Sequence, residues 1–186
     1  MNPYILLAKQ AVENYVKERK VISSAENLGR QAGVFVTIEN QGQLRGCMGT
    51  YSPTKENIGK EIVANAIAAA TEDYRFDPIE EKELSSLSYI VYILNEPELV
   101  KDVSELDPKK YGIIIKSQGF SSLDVIFNPA PRLYQKSGLL LPDLEGVDTV
   151  EKQISIACQK GGIDSMKEQI VIYKFTVEKY EEKEKN

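Results

Sequence analysis

The spacing of apolar residues predicts a helix, a hairpin and a second helix in the first part of the chain. Residues 4–20 carry an apolar side chain every three or four positions after an Asn-Pro pair, as in an amphipathic helix with a capped start. Residues 33–39 are rich in β-branched residues, a polar Asn-Gln-Gly turn follows, and residues 44–50 are expected to pair back as the return strand. A helical stripe of apolar and small residues then covers residues 55–72, which residues 52–54 would cap.

Strands predominate in the pattern of the remaining chain. Apolar runs bounded by proline, glycine or polar residues predict strands at residues 87–94, 111–116, 121–127, 138–142 and 170–178. A short helical turn is expected at residues 80–84, and a late helix from Asp148 to about Lys160, where Asp148 and Glu151 would form a capping box. A hairpin and a helix followed by several strands favour an α+β fold, with a mostly antiparallel sheet and flanking helices.

The composition is that of a soluble globular protein. The chain has 186 residues, of which 42% are hydrophobic and 27% are charged, as is usual for one compact unit. No apolar run reaches the roughly 18 residues that a membrane span needs. We see no secretory or organellar targeting segment before the first helix, so a cytoplasmic location is expected.

Charge and residue usage exclude several classes of function. The net charge is −5 and no basic cluster is interleaved with aromatic residues, which argues against nucleic-acid binding. The chain contains no histidine, so Ser-His-Asp and Cys-His catalysis and the usual zinc sites are ruled out. Two cysteines are too few for a disulfide scaffold, and both are expected to be reduced. The glutamates at 80, 81 and 83 are interpreted as a solvated helix face, so no metal site is predicted.

One stretch combines a charge, a thiol and two glycines: Leu-Arg-Gly-Cys-Met-Gly-Thr at residues 44–50. If it is a strand, alternation would place Arg45 and Cys47 on one face and Leu44 and Met48 on the other. A guanidinium and a sulfur atom would then share one patch. This stretch is therefore the candidate site of the chain.

The neighbourhood of this stretch adds two expectations. Gly46 and Gly49 lack a Cβ atom, so backbone, a side chain or a ligand can approach closely at those positions. Only a short link separates the strand from the second helix, so the N-terminal amides of that helix are expected near Arg45 and Cys47. A helix N-terminus favours an anion or a thiolate.

Each candidate residue has a functional and a structural interpretation. Cys47 is either a nucleophilic or redox thiol, activated by Arg45 and the helix start, or a small buried hydrophobic residue. Arg45 either binds a carboxylate or phosphate, or pairs with Asp73 or another acid. Asp73 and Arg75 either line the same pocket or form a cap and an ion pair. Cys158 is expected to be a core residue.

The stretch at residues 44–50 resembles the LRGC(I/M)G signature of the AMMECR domain family, the AmmeMemoRadiSam system protein A type. Supporting matches follow in order at residues 33–37, 65–70, 73–76, 138–146 and 173–175. Two features depart from the family pattern: Tyr74 stands where proline is common, and residues 120–136 are longer than the usual turn.

The resemblance implies an α+β fold with a larger and a smaller lobe, here a single domain at residues 1–180 followed by a charged tail at 181–186. It also implies that the protein acts with a Memo-like protein and a radical-SAM protein. It supplies no settled activity, no cofactor and no oligomeric state. None of the matched residues has an agreed catalytic role in the family. Arg45 and Cys47 are the candidate catalytic residues because of their expected shared strand face beside a helix N-terminus. The candidate ligand-binding residues are Gly46, Gly49, Asn65, Asp73, Arg75 and Phe76.

Two functions remain open from the sequence. The first is an intracellular enzyme or small-molecule-binding subunit that uses a cleft around residues 44–50, with Cys47 as nucleophile and Arg45 as anion clamp. The second is a non-catalytic docking module in which the motif is structural. Exposure and reactivity of Cys47 would distinguish the two.

Overall fold

The computed structural model describes residues 2–23, 29–118 and 136–182, and it confirms the predicted α+β class. The chain divides into two compact units. The first contains the chain up to Asn95 together with the residues from Glu178 onward, and the second comprises Glu96–Val177. Each unit contains one four-stranded antiparallel sheet.

The first unit packs two helices against one face of its sheet. Its elements are helix α1 (Pro3–Glu18), strands β1 (Val34–Asn40) and β2 (Gln43–Thr50), helix α2 (Ile58–Thr71), a 3-10 helix (Glu81–Ser86), strand β3 (Leu87–Leu94) and strand β8 (Val177–Glu181). The strand order is β2-β1-β3-β8, so the strand that carries the candidate motif lies at the edge of the sheet. The core consists of the alternate apolar residues of β1 and β3 and the apolar faces of α1 and α2.

The second unit has a smaller core. Its elements are strand β4 (Glu98–Leu99), a 3-10 turn (Val103–Glu105), strands β5 (Gly112–Gln118) and β6 (Ser137–Leu140), helix α3 (Val150–Gly161) and strand β7 (Gln169–Phe175). The strand order is β4-β7-β5-β6, and α3 packs against β5 and β6. Cys158 lies in this core, as predicted, and burial raises the pKa of its thiol.

Most predicted elements are confirmed within a few residues, and the differences have local causes. Helix α2 begins at Ile58 and not at residue 55, so the predicted start is wrong. Asn57 is the N-cap residue, and its side-chain oxygen accepts a hydrogen bond from the amide of Lys60. Helix α3 is capped by Thr149, without the expected box. The predicted last strand divides at residue 176 into β7 and β8. The predicted strand at 121–127 lies outside the described residues, as does the segment 120–136 except for its last residue.

The hairpin turn has the geometry that its sequence predicts. Gln41 and Gly42 both have positive φ angles, of 52° and 76°, as a tight two-residue hairpin turn requires. Within the described ranges, no helix is long and apolar enough to cross a membrane.

Candidate functional site

A β-bulge distorts strand β2 at Arg45. Ile38 of β1 lies opposite Gly46, whereas the next residue, Glu39, lies opposite Leu44. Arg45 is therefore the extra residue on the edge strand, and a bulge bends the strand and redirects a side chain. The bulge interrupts the predicted strict alternation between Leu44 and Gly46, and a shared sheet face for Arg45 and Cys47 stays a prediction.

The guanidinium of Arg45 is bound within the protein. Its Nε and Nη2 atoms donate to the two carboxylate oxygens of Glu83 at 2.8 and 3.1 Å, and Nη1 donates to the backbone oxygen of Asp77 at 2.9 Å. Its Cζ atom also lies 5.9 Å from the ring centre of Phe76. The hydrogen bond from Arg45 lowers the pKa of Glu83. Arg45 thus pairs with an acid, but the acid is Glu83 and not Asp73.

Asp73 binds the edge of the sheet to the loop that follows α2. Its Oδ2 atom accepts from the amide of Cys47 at 2.9 Å and from Nη2 of Arg75 at 2.6 Å, while Oδ1 accepts from Nε of Arg75 at 2.8 Å. The side chain is 3% exposed. The hydrogen bonds from Arg75, together with the one from the Cys47 amide, lower the pKa of Asp73 to about 2 against the opposing effect of burial. Asp73 therefore protects an outward-facing amide of an edge strand.

The C-terminal half of α2, and not its N-terminus, lies beside Gly46 and Cys47. The Cα atom of Gly46 faces the backbone of Ala69, and Cys47 contacts Asp73, which follows the last turn of the helix. The N-terminal end of α2 instead meets the end of β2, where Glu61 contacts Thr50. The chain reverses direction between β2 and α2. The prediction that the N-terminal amides of α2 lie near Arg45 and Cys47 is therefore wrong. A helix C-terminus disfavours a nearby thiolate.

At both glycines of the motif, other atoms of the protein fill the space that a Cβ atom would need. A Cβ atom on Gly46 would lie 2.1 Å from the backbone oxygen of Ala69, and one on Gly49 would lie 2.3 Å from the ring of Phe35. The expectation of a close approach is thus confirmed, and the approaching groups are a helix backbone and an aromatic ring.

The other candidate residues have separate positions. The buried side chain of Asn65 donates to the backbone oxygen of Val34 at 3.0 Å and so joins α2 to β1. Phe76 is half-buried, with the guanidinium of Arg75 at 5.5 Å from its ring centre. Cys47 is half-buried, and the hydroxyl of Thr37 donates to its Sγ atom at 3.3 Å.

A polar depression of 480 Å³ lies beside the motif. It is lined by residues of the hairpin end and by Lys82, Glu83 and Ser86 of the 3-10 helix. Arg45 contributes to its wall, whereas Cys47 is not among its lining residues. Among the residues that the structure describes, no group of three or more cysteine, aspartate or glutamate side chains is placed to hold a metal ion.

Sequence reasoning missed the buried glutamate of α2, Glu61, which is 1% exposed. Its carboxylate accepts from the hydroxyls of Thr50 and Thr54 and from the backbone amides of Thr54 and Lys55, at 2.7 to 2.9 Å. Burial raises the pKa of Glu61, but these hydrogen bonds outweigh it and the net pKa is lowered. The signal in the sequence is a carboxylate three residues after Ile58 that directly precedes the apolar pair Ile62 and Val63.

The low pKa of Asp73 predicts a pH-dependent contribution to stability. The pKa is about 2 in the folded protein against 3.8 ordinarily, so the contribution is present above pH 4 to 5 and is lost as the pH falls toward 2. We expect the difference in unfolding free energy between wild type and Asp73→Asn to shrink by about 2 kcal/mol over that range. Urea unfolding at several pH values measures it. A difference that stays constant with pH would contradict this role of Asp73.

A family model, related sequences and a solved structure each match nearly the whole chain. The family model AMMECR1 matches residues 5–180. A protein of Thermotoga maritima is 48% identical over 185 residues, which cover 96% of this chain and 97% of the relative. A Clostridium acetobutylicum protein is 39% identical over 97% of this chain and 36% of its own length. The crystal structure of an uncharacterised Pyrococcus horikoshii protein superposes with a TM-score of 0.81 at 28% identity, covering 97% of this chain and 90% of the other.

Proposed function

The chain belongs to the AMMECR1 family, and on that premise we propose that it is a non-catalytic docking subunit in which the motif at residues 44–50 is a structural brace. One observation carries the proposal: both Arg45 and Asp73 direct their charges into contacts within the protein. These contacts hold the loop after α2 against the edge of β2. The motif accordingly shapes a surface.

The geometry opposes the alternative role of Arg45 as an anion clamp. Three of its five N–H groups already donate to Glu83 and Asp77. An incoming carboxylate or phosphate would have to displace Glu83 or lie next to its negative charge, and like charges at that distance repel. A bidentate Arg–carboxylate pair is also among the stronger polar contacts in proteins.

The partners that we propose are the Memo-like protein and the radical-SAM protein to which the family resemblance points. Each partner is to be expressed from its gene in the genome that encodes this chain. The purified partner is then titrated against this protein by isothermal titration calorimetry. We expect binding to at least one of them, and we expect Cys47→Ser to leave the affinity within about twofold, because a structural thiol tolerates this change. Absence of binding to both proteins would overturn the proposal.

The second candidate function is a small-molecule site or enzyme that uses Cys47. The observation that favours it is the Thr37 hydroxyl, which donates to the Sγ atom of the half-buried Cys47 at 3.3 Å. A hydrogen bond to sulfur stabilises a thiolate and so increases its reactivity.

The reactivity of Cys47 discriminates between the two functions. In a Cys158→Ser background, where Cys47 is the only thiol, we expect iodoacetamide to react no faster than with free cysteine at pH 7, because the side chain is half-buried beside a helix C-terminus. The rate of alkylation by mass spectrometry measures this. A rate about tenfold above free cysteine that falls in Thr37→Val would favour the enzyme or small-molecule function.

A further inference from the structure

We propose that the loop at residues 72–77, here named the Tyr74 loop, inserts Tyr74 into an apolar pocket of a partner protein whose rim carries lysine or arginine. This inference rests on the proposed docking function and names the surface and the chemistry of the partner. It is carried by the exposure of Tyr74, by the rigidity of the loop and by its charge.

Among the residues that the structure describes, Tyr74 is the most exposed large hydrophobic side chain. It is 96% exposed, compared with 38% for Tyr51 and 44% for Leu44. A solvated aromatic ring leaves a large apolar area in water, and a partner that buries the ring removes this area from water. Packing within the described residues leaves the ring of Tyr74 in water, where a partner can cover it.

The backbone on both sides of Tyr74 is held in place. Asp73 accepts from the amide of Cys47 and from the amide and side chain of Arg75, and the amide of Phe76 donates to the backbone oxygen of Asp73 at 3.0 Å. Arg45 then binds the backbone oxygen of Asp77. Because the loop is ordered before binding, less conformational entropy is lost when a partner engages it.

The neighbours of Tyr74 are residue types that dominate protein interfaces. The side chain of Arg75 is 44% exposed and lies over the half-buried Phe76, with its charge neutralised by Asp73. Tyrosine and arginine are enriched among the residues that contribute most to binding.

The charge around Tyr74 selects the partner. Glu72 and Asp77 are exposed, and within the described part of the chain neither carboxylate forms an ion pair. Three of the six acidic residues at 72–83 form ion pairs with Arg45, Arg75 or Lys82. The exposed carboxylates that remain are those of Glu72, Asp77 and Glu81. Such a surface repels phosphate backbones and anionic lipid headgroups, and it attracts a protein surface that carries lysine or arginine.

The test compares variants of the full chain in calorimetric titrations with the purified Memo-like and radical-SAM proteins. Tyr74→Ala is expected to weaken binding by about 30-fold or more, the loss typical of a central interface residue. Met166→Ala removes a side chain that is similarly exposed, at 92%, and should change the affinity by less than about twofold. Unchanged melting temperatures of both variants show that the fold is intact.

Charge reversal tests the rim of the proposed pocket. Asp77→Lys leaves the backbone contact to Arg45 in place and is expected to weaken binding about tenfold at low salt, with a smaller loss at high salt. Glu145→Lys makes the same change of charge at an exposed position of the second unit and should have little effect. If the wild type binds neither protein, the docking function fails and the inference with it. If the wild type binds but Tyr74→Ala behaves like Met166→Ala, only the Tyr74 inference is overturned.

Discussion

Gly46→Ala is expected to lower the free energy of unfolding by about 3 kcal/mol or more, and it is the substitution in the motif with the largest predicted effect. The added Cβ would lie 2.1 Å from the backbone oxygen of Ala69 and 3.1 Å from its carbonyl carbon. Neither group can rotate away, because both belong to the backbone of α2. Strand and helix would have to separate, and the apolar contacts between them would be lost.

Two other glycines serve as controls for Gly46→Ala. A Cβ atom on Gly29 meets nothing within 4 Å, so Gly29→Ala should be neutral or slightly stabilising. A Cβ atom on Gly42 is also unobstructed, but the φ angle is +76°, so Gly42→Ala should cost about 1 kcal/mol through backbone strain alone. Urea unfolding followed by circular dichroism measures all three. If Gly46→Ala matched Gly29→Ala, the close packing of strand and helix would be refuted.

The local part of the fold was predictable because its signals are local. The helix of residues 3–18, the hairpin and its turn, and the helix that ends before Gly162 follow from side-chain spacing and from residues that favour particular φ angles. The start of α2 was predicted too early because a buried carboxylate competes for the amides of Thr54 and Lys55. Those amides would otherwise be available to the first helical turn.

The candidate site was predictable in location but not in connectivity. A bulge depends on how many residues the partner strand contributes, so the sequence of β2 alone does not show that Arg45 is the extra residue. Glu83 lies 38 positions from Arg45, and Asp73 lies 26 positions from Cys47. No periodic pattern relates residues so far apart. The family resemblance singled out Asp73 by position, whereas only the coordinates show what it binds.

The structure shifts the balance between the two functions that the sequence left open. An activated Cys47 was expected from an adjacent arginine and a helix N-terminus. Arg45 is instead paired with Glu83, and the helix end beside Cys47 is the C-terminal one. Both changes remove electrostatic support for a thiolate. The same contacts hold the Tyr74 loop in place, so they favour a role of the motif in shaping a binding surface.

Glu61→Ala is expected to lower the free energy of unfolding by about 3 to 5 kcal/mol, the usual cost of removing one partner from a buried polar network. The substitution would leave the amides of Thr54 and Lys55 without their acceptor. It would also release the link between β2 and α2. Urea unfolding measures the effect, and Glu56→Ala is the matched control. Glu56 is exposed and forms an ion pair with Lys60, so this substitution should leave the free energy of unfolding nearly unchanged.

A second substitution at the same position separates charge from hydrogen bonding. In Glu61→Gln, the amide oxygen can accept from the two backbone amides while the amide nitrogen donates to the rotatable hydroxyls of Thr50 and Thr54, so the loss should be only about 1 to 2 kcal/mol. The pKa of Glu61 is lowered on folding, so its ionised form contributes stability above the unfolded pKa and loses it as the pH falls through the folded pKa. The difference in unfolding free energy between wild type and Glu61→Gln should therefore become smaller at acidic pH. If Glu61→Ala lowered the free energy of unfolding no more than Glu56→Ala does, Glu61 would not link β2 to α2. If the difference between wild type and Glu61→Gln stayed constant as the pH falls, the Glu61 carboxylate would not be bound in its ionised form.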